Sequence, residues 1–234
     1  MPAAVWKFLI LILAFLTGFF GVWLYWNHYQ QKAMLHHEFA DKLVVLDPGH
    51  VGSEIGVIGS AGAKEKEITL ILAKKLDKLL RQDGVKTMLT RVNNNELSAP
   101  KAGKEYDGLN PGLSRRVALA NNNNADIFVS IHINSYHDPR IGGAQVFYHA
   151  DSVKGKRLAA SIQQEFDKDL VNPGRVIMPE DFFVLRMTKM PSVLAEVGFL
   201  TNPKEEQLLM SDAYQNKVAL AIYNGIIRYL ADEE

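Results

Sequence analysis

The pattern of apolar and polar positions divides the chain into an apolar N-terminal segment and a longer part with two alternating periodicities. Residues 8–26 contain no charged side chain, and their length is enough for a helix to cross a bilayer. Beyond residue 41, short runs rich in β-branched residues alternate with stretches whose apolar residues recur at helical spacing. The pattern therefore predicts an apolar helix followed by an α/β domain.

Strands and helices are predicted to alternate along this domain. The predicted strands are 43–46, 85–91, 127–133, 144–149, 182–185 and 193–197; the predicted helices are 67–82, 113–121, 153–170, one starting at 203, and 212–230. Such alternation favours a single α/β domain with a largely parallel twisted sheet and helices on both faces. The polar segment 93–111 is predicted to be a surface loop.

The apolar N-terminal segment is interpreted as a transmembrane helix. Trp23, Tyr25 and Trp26 lie at its end, where an interfacial aromatic belt is expected. No small-residue cleavage motif follows, so an uncleaved anchor is favoured over a removed signal peptide. A buried core helix is the alternative. We assign residues 1–27 to the anchor, 28–41 to a polar stalk and 42–234 to the α/β domain.

Composition narrows the classes of function. Lysine plus arginine equals aspartate plus glutamate at 26 each, so no net charge indicates a nucleic-acid partner. The chain of 234 residues has no cysteine, which excludes disulfides, thiolate metal sites and a cysteine nucleophile. Any bound metal must therefore be held by nitrogen and oxygen atoms.

Residues that can bind a metal or transfer a proton occur close to the ends of three of the predicted strands. His50, His132 and Glu196 lie at or near strand ends, and Glu65 precedes the first helix of the domain. Ligands of open α/β sheets gather at the carboxyl ends of strands, so we expect these four side chains to converge. Two histidines and a glutamate form a ligand set that zinc uses when one position stays open for water.

Each of these residues also has a structural interpretation. His50 could be a solvated loop residue, His132 a hydrogen-bonded structural histidine, and Glu65 an acid that interacts with a helix N-terminus. Glu196 is harder to explain in this way, because its apolar run has no basic neighbour and a buried carboxylate needs a cation or a proton. We therefore expect His50, Glu65 and His132 to hold Zn²⁺ and Glu196 to act as the general base.

An ordered set of motifs resembles one known family. The motifs are Asp47-Pro48-Gly49-His50 with Gly56 and Gly59, Glu65-Lys66, Thr90-Arg91, Leu113-x-x-Arg116 with Ala120-Asn121, Ser130-Ile131-His132-x-Asn134, and Glu196-Val197-Gly198-Phe199-Leu200-Thr201-Asn202-Pro203. Over residues 43–230 the chain resembles the zinc-dependent N-acetylmuramoyl-L-alanine amidases of the Amidase_3 family.

The resemblance implies hydrolysis of the amide between N-acetylmuramic acid and the first L-alanine of the peptidoglycan stem peptide. It implies zinc at His50, Glu65 and His132 and catalysis by Glu196. Arg91 and Arg116 match family positions, where an arginine either braces a loop or binds a substrate carboxylate. With Asn134, they are the candidate substrate-contacting residues.

Two positions depart from the family pattern and bear on substrate fit. Family members usually have two glycines after the first histidine, whereas Val51 precedes Gly52 here, and Glu54 stands where aspartate is common. A single anchored domain without wall-binding repeats is similar to family members that act in spore cortex maturation. The implied location is the bacterial cell membrane with the domain outside, where peptidoglycan is the partner. No activator protein is identified by the sequence.

Two other functions are compatible with parts of this pattern. One is a non-catalytic peptidoglycan-binding protein with the same fold, which the complete set of four site residues argues against. The other is a zinc carboxypeptidase acting on the stem peptide, a class whose His-x-x-Glu ligand pair this chain lacks.

Overall fold

The computed structural model of the protein describes residues 3–52, 54–94, 110–172 and 174–233. Its helices are α1 (Ala3–Glu38), α2 (Glu65–Gln82), α3 (Pro111–Asn122), α4 (Val153–Asp169), α5 (Phe183–Met187), α6 (Pro203–Met210) and α7 (Asp212–Ala231). Its strands are β1 (Leu43–Pro48), β2 (Lys86–Leu89), β3 (Ile127–Asn134), β4 (Gln145–Tyr148), β5 (Met178–Pro179) and β6 (Ser192–Phe199). The predicted surface loop 93–111 lies mostly outside the described residues.

The six strands form one mixed sheet in the order β2-β1-β3-β6-β4-β5. β1 pairs in parallel with both β2 and β3, and β3 pairs in parallel with β6. β4 runs antiparallel to β6 and parallel to the two-residue edge strand β5. The prediction of a largely parallel sheet is therefore confirmed.

Helices cover both faces of the sheet, which explains why its central strands are apolar on both sides. Along β1, Val44 and Leu46 belong to a core formed with α2, α4 and α7, whereas Val45 belongs to a second core formed with α3 and α5. In β3, Val129 faces the first core and Phe128 the second. The two faces carry different cores, and the second one lies under the site described below.

One predicted strand is a helix. Residues 182–185 were expected to be extended, but α5 spans Phe183–Met187, and the amides of Leu185 and Arg186 donate to the carbonyl of Phe182. A run of four apolar residues does not distinguish a strand from a buried helical turn by periodicity. Packing decides here, because the helical turn buries Val184 and Leu185 against the second core. β5 is too short to produce a periodic signal.

Helix α1 is longer than the predicted apolar segment. It continues through most of the expected stalk to Glu38, and the buried side chain of Phe39 follows it into the first core. The span Leu9–Asn27 is long and apolar enough to cross a membrane, and none of it is buried against the rest of the protein. These residues therefore do not form a core helix.

Helices α4 and α7 pack closely at Gly225. A Cβ added to Gly225 would lie 2.6 Å from the Cα atom of Ile162 in α4. The hydroxyl of Ser161 donates to the carbonyl of Gly225 at 2.8 Å, which holds the two backbones together. Because backbone atoms cannot move aside as a flexible side chain can, only glycine fits at this crossing.

Gly225→Ala is expected to lower the free energy of unfolding by roughly 1–3 kcal/mol, because the added methyl group overpacks the crossing. Elsewhere in a helix the same substitution usually stabilises by about 0.5–1 kcal/mol, so the sign of the effect is informative. The measurement is denaturant unfolding of the full chain in detergent. Leu220→Ala, at a half-exposed position of the same helix, is the control, and a stabilised Gly225→Ala variant would contradict the packing described here.

Candidate active site and metal centre

The candidate site lies at the carboxyl ends of β1, β3 and β6. His50 follows β1 after a turn through Gly49, and His132 lies near the end of β3. His132 is in register with Glu196 of β6, so these two side chains share one face of the sheet. Glu65 is the first residue of α2 and points back to this edge. The structure thus brings together the four residues that the sequence singled out.

His50, Glu65 and His132 form a group that could hold a metal ion. One potential ligand atom from each lies within 4.8 Å of the other two. Glu65 Oε2 is 3.2 Å from His50 Nε2, and Glu65 Oε1 is 3.1 Å from His132 Nδ1. Two imidazole nitrogens and a carboxylate in such proximity are a donor set that zinc uses in proteins.

The Glu65 carboxylate is buried and held in place by the backbone. The amide of Val57 donates to Oε2 and that of Ile133 to Oε1, both at 2.9 Å. Burial raises the pKa of Glu65, but the hydrogen bonds with His132 and His50 outweigh it and hold the pKa well below its ordinary value. Glu65 is therefore a carboxylate at neutral pH, and its oxygens bind neighbouring segments and histidines rather than its own helix N-terminus.

The turns around this group require glycine. A Cβ at Gly49 would overlap the imidazole of His132. Gly56 has a φ of +73°, and its Cβ would lie 2.5 Å from Glu65 Oε2. His50 itself has a φ of 60°, a left-handed conformation that costs a non-glycine residue about 1–3 kcal/mol. The backbone of the proposed site is thus strained at His50 and packs closely against side chains at Gly49 and Gly56.

Glu196 is the unpaired acid of the site. Its Oε2 atom is buried and has no hydrogen-bond partner among the described residues. Burial, and then the negative charge of Glu65, raise the pKa of Glu196 to about 8. A carboxyl group with this pKa can gain or lose a proton near neutral pH, which is what general acid–base chemistry needs.

A buried aspartate that the sequence analysis did not single out supports the strand ends. Asp47 accepts hydrogen bonds from Thr90 at 2.6 Å, Ser130 at 2.7 Å and Arg116 Nη1 at 3.0 Å. Burial raises the pKa of Asp47, yet Arg116 and the two hydroxyls outweigh it and lower the pKa below the usual range. The polar side chain of Ser130 in an apolar strand is explained by this contact.

Arg91 is fully buried and braces the turn after β1. It donates to the carbonyls of Pro48 at 3.0 Å, Gly49 at 2.9 Å and Lys66 at 2.7 Å. Burial, followed by the charge of Arg116, lowers the pKa of Arg91 to about 10, so it remains a cation at neutral pH. These contacts support the bracing alternative for Arg91 over direct contact with substrate.

The two other candidate substrate contacts differ in position. Arg116 lines the cavity next to Glu196. Asn134 lies at the end of β3, where its Oδ1 atom accepts from the Ser135 amide at 2.7 Å and its carbonyl accepts from the Leu200 amide at 3.0 Å. Asn134 therefore shapes the turn between strands, and Arg116 is the better placed of the two to meet a ligand.

Two adjacent glutamates at the start of α6 fix the loops beside the site. Glu206 accepts from the amide of Ala61 at 2.8 Å and the hydroxyl of Ser60 at 2.9 Å. Glu205 accepts from the amides of Gly143 and Phe199, each at 2.6 Å. Both residues lie in the helix predicted to start at 203, but no role was predicted for them. The signal that could have found them is two consecutive carboxylates in the first turn of that helix.

A cavity of about 240 Å³ opens beside the metal-capable group, between α3, α5 and the sheet. Its lining residues are Asp47, His50, Glu54, Leu113, Arg116, His132, Phe182, Phe183, Val184, Leu194 and Glu196. Glu54, one of the departures from the family pattern, is among them. The arrangement places a carboxyl group with a raised pKa and a metal-capable cluster at one side of a mainly apolar cavity, which suits metal-assisted hydrolysis of an uncharged bond.

Comparison with known proteins gives a consistent result. Residues 44–228 match the family model of N-acetylmuramoyl-L-alanine amidases, Amidase_3. The chain is 35% identical over 194 residues to the germination-specific N-acetylmuramoyl-L-alanine amidase of Bacillus subtilis, which covers 82% of this chain and 81% of that protein.

Solved structures share the fold. The CwlD amidase of Clostridioides difficile, solved in complex with the GerS lipoprotein, is 35% identical with a TM-score of 0.74 and covers 82% of this chain and all of that one. The AmiC2 amidase of Nostoc punctiforme is 34% identical with a TM-score of 0.71, covering 81% and 97%. The chain therefore belongs to the Amidase_3 family and is an N-acetylmuramoyl-L-alanine amidase, an enzyme of peptidoglycan cleavage.

Proposed function

We propose that the amidase is zinc-dependent and that His50, Glu65 and His132 hold the ion. The donor set supports this proposal, because two imidazoles and one carboxylate suit zinc, whereas Mg²⁺ and Ca²⁺ prefer oxygen ligands alone. Zinc in such a site acts as a Lewis acid toward water and toward the scissile carbonyl. The chain's own contribution is a rigid arrangement of the three ligands, held by the backbone hydrogen bonds of Glu65.

We propose that Glu196 moves the proton. In the ion-free protein, burial and the charge of Glu65 keep Glu196 protonated. A dication at the neighbouring group offsets the charge of Glu65 and favours the carboxylate form of Glu196. Glu196 then takes the proton from the attacking water and returns it to the amine nitrogen of the leaving stem peptide.

The scissile bond that we propose is the amide between N-acetylmuramic acid and L-alanine. The family match and the amidase relatives support this bond over a peptide bond within the stem. The alternative of a binding protein without activity is disfavoured, because the protein keeps the complete metal-capable group and places its two histidines, together with Glu196, in the wall of one cavity.

We further propose that the protein is anchored by residues 1–27, with 28–41 as a stalk and 42–234 as the catalytic domain outside the cytoplasm. The exposed apolar span Leu9–Asn27 supports the anchor. A role in spore cortex maturation is supported by the germination-specific relative. Since the CwlD neighbour was solved with a lipoprotein, we infer that a membrane-associated protein partner takes part here as well.

Removal of zinc is expected to abolish release of free stem peptide from purified peptidoglycan, and added Zn²⁺ is expected to restore it. Mass spectrometry of the products separates loss of the whole stem from loss of one residue, which also tests the bond. His132→Ala should lose the metal and the activity, whereas His137→Ala, at an exposed position after the same strand, should keep both. Activity that survives with less than stoichiometric metal would refute the zinc proposal.

Glu196→Gln is expected to keep a full complement of zinc and to lower kcat by about 10²- to 10⁴-fold, because the amide cannot accept the proton. Metal analysis and steady-state kinetics on the same preparation measure the two effects. Glu67→Gln, which removes a partly exposed carboxylate of α2, is the control. A Glu196→Gln variant with nearly normal turnover would remove Glu196 from the mechanism.

The raised pKa of Glu196 also predicts a pH-dependent stability of the metal-free protein. Between about pH 4.5, the ordinary value, and about pH 8, the native state binds a proton that the unfolded state releases. Rising pH therefore destabilises the wild type through this window, by an amount on the order of a few kcal/mol, and Glu196→Gln lacks this component. Denaturant unfolding with a chelator at several pH values measures the difference, and parallel pH profiles of the two proteins would contradict the pKa assignment.

A further inference from the structure

Arg116 has a buried hydrogen-bond donor for which the described residues offer no acceptor. Its side chain is 2% exposed and forms part of the cavity wall. Its described hydrogen bonds both start at Nη1, at 3.0 Å to Asp47 Oδ1 and 3.3 Å to the Pro48 carbonyl. Nε is buried and has no acceptor within the described part of the chain. A guanidinium has five N–H donors, and the two bonds from Nη1 leave the Nε donor unused within the described residues.

Burial alone does not explain this unpaired donor. The neighbouring Arg91 is even more buried, yet it donates from Nε to Pro48 and from Nη1 to Asn94 as well as from Nη2. An unpaired buried donor is costly, and native proteins leave few of them. Because Arg116 is one of the residues that line the cavity, a ligand bound there is the candidate source of the missing acceptor.

The charges around the cavity indicate which acceptor fits. Asp47 offsets the charge of Arg116 at 3.0 Å, and the cavity wall also contains Glu54 and Glu196. An anionic ligand group would meet these carboxylates, whereas a neutral carbonyl oxygen would not. Leu113 and Leu194 line the same space and suit the apolar part of an alanyl or acetyl group.

We propose that Arg116 Nε donates a hydrogen bond to an amide carbonyl of the substrate other than the scissile one. The inference rests on the proposed cleavage of a muramyl–alanine amide. Such a substrate has two neighbouring carbonyls of this chemistry, that of the first stem residue and that of the acetamido group. Arg116 is thereby a substrate-contacting residue, and its contact exists in the ground state as well as in the transition state.

Arg116→Lys tests this role while keeping a cation beside Asp47. Loss of a charged donor is expected to raise KM about 10- to 100-fold and to change kcat little, because the contact is uniform along the reaction. The matched control is Thr90→Val, which removes another donor to the same Asp47 oxygen without altering the cavity wall. Thr90→Val should change kcat/KM by the same factor on every substrate.

Three substrates identify the carbonyl, with the full chain in detergent and zinc present. They are N-acetylmuramyl-L-alanine methylamide, N-acetylmuramyl-L-alaninol, which lacks the stem carbonyl, and the methylamide without its N-acetyl group. The ratio of kcat/KM between wild type and Arg116→Lys should be about 10 or more for the first substrate. It should fall to near 1 for the analogue that lacks the partner carbonyl. An equal ratio for all three overturns the proposal.

A binding measurement separates this inference from the proposed function. Calorimetry compares binding of the methylamide to Glu196→Gln and to the Glu196→Gln/Arg116→Lys double variant. Tighter binding by the single variant supports the contact, even if the wild type cleaves another bond. Equal binding by the two, or binding by neither, overturns the contact. If the expected bond is cleaved but the ratios of kcat/KM are equal for the three substrates, the amidase mechanism stands. Only the role of Arg116 is then refuted.

Discussion

The Glu65 carboxylate is the interaction on which the arrangement of the site depends. Its two oxygens contact His50 and His132 and accept backbone hydrogen bonds from Val57 and Ile133. One buried side chain at the start of α2 therefore joins the loop after β1 to the end of β3. Because a buried carboxylate without partners is strongly unfavourable, these contacts tie the geometry of the metal-capable group to the stability of the fold.

Two buried polar networks beneath this group keep the strand ends in place. Asp47 collects donors from three separate segments, and Arg91 donates to the carbonyls of Pro48 and Gly49 after β1 and of Lys66 in α2. The Asp47 carboxylate is thereby satisfied by protein donors, and all three guanidinium nitrogens of Arg91 find protein acceptors. The two networks make the turn that presents His50 rigid, and this rigidity is what a preorganised metal site requires.

The cavity wall behaves differently from these satisfied networks. Glu196 Oε2 and Arg116 Nε are both buried and unpartnered within the described residues, and both belong to residues that line the same cavity. Unmet hydrogen-bonding capacity in a cavity wall is what a bound ligand with matching polar groups satisfies. Helix α5 supplies part of the apolar lining, so a segment expected to be a strand helps to form the cavity.

Local pattern in the sequence was sufficient for much of the fold. Period-two and period-3.6 repeats predicted five of the six strands and the helices that cover them, and strand order along the chain predicted that His50, His132 and Glu196 would meet at one edge. The strand predicted for residues 182–185 was wrong, because four apolar residues are too few to distinguish the period of a strand from that of a helix. Asp47 pairs with Arg116, and Glu205 and Glu206 accept hydrogen bonds from the amides of Gly143 and Ala61. These contacts join residues that are far apart in sequence.

The sequence by itself determined which residue types were available: nitrogen and oxygen ligands, an isolated glutamate, and glycines at the turns. Only the tertiary structure decided which of them touch, which arginine is a brace, and which buried atoms lack a partner. The physical reason is that periodicity and turn chemistry act over neighbouring residues, whereas burial, pKa and hydrogen-bond satisfaction depend on side chains that folding brings together from distant segments.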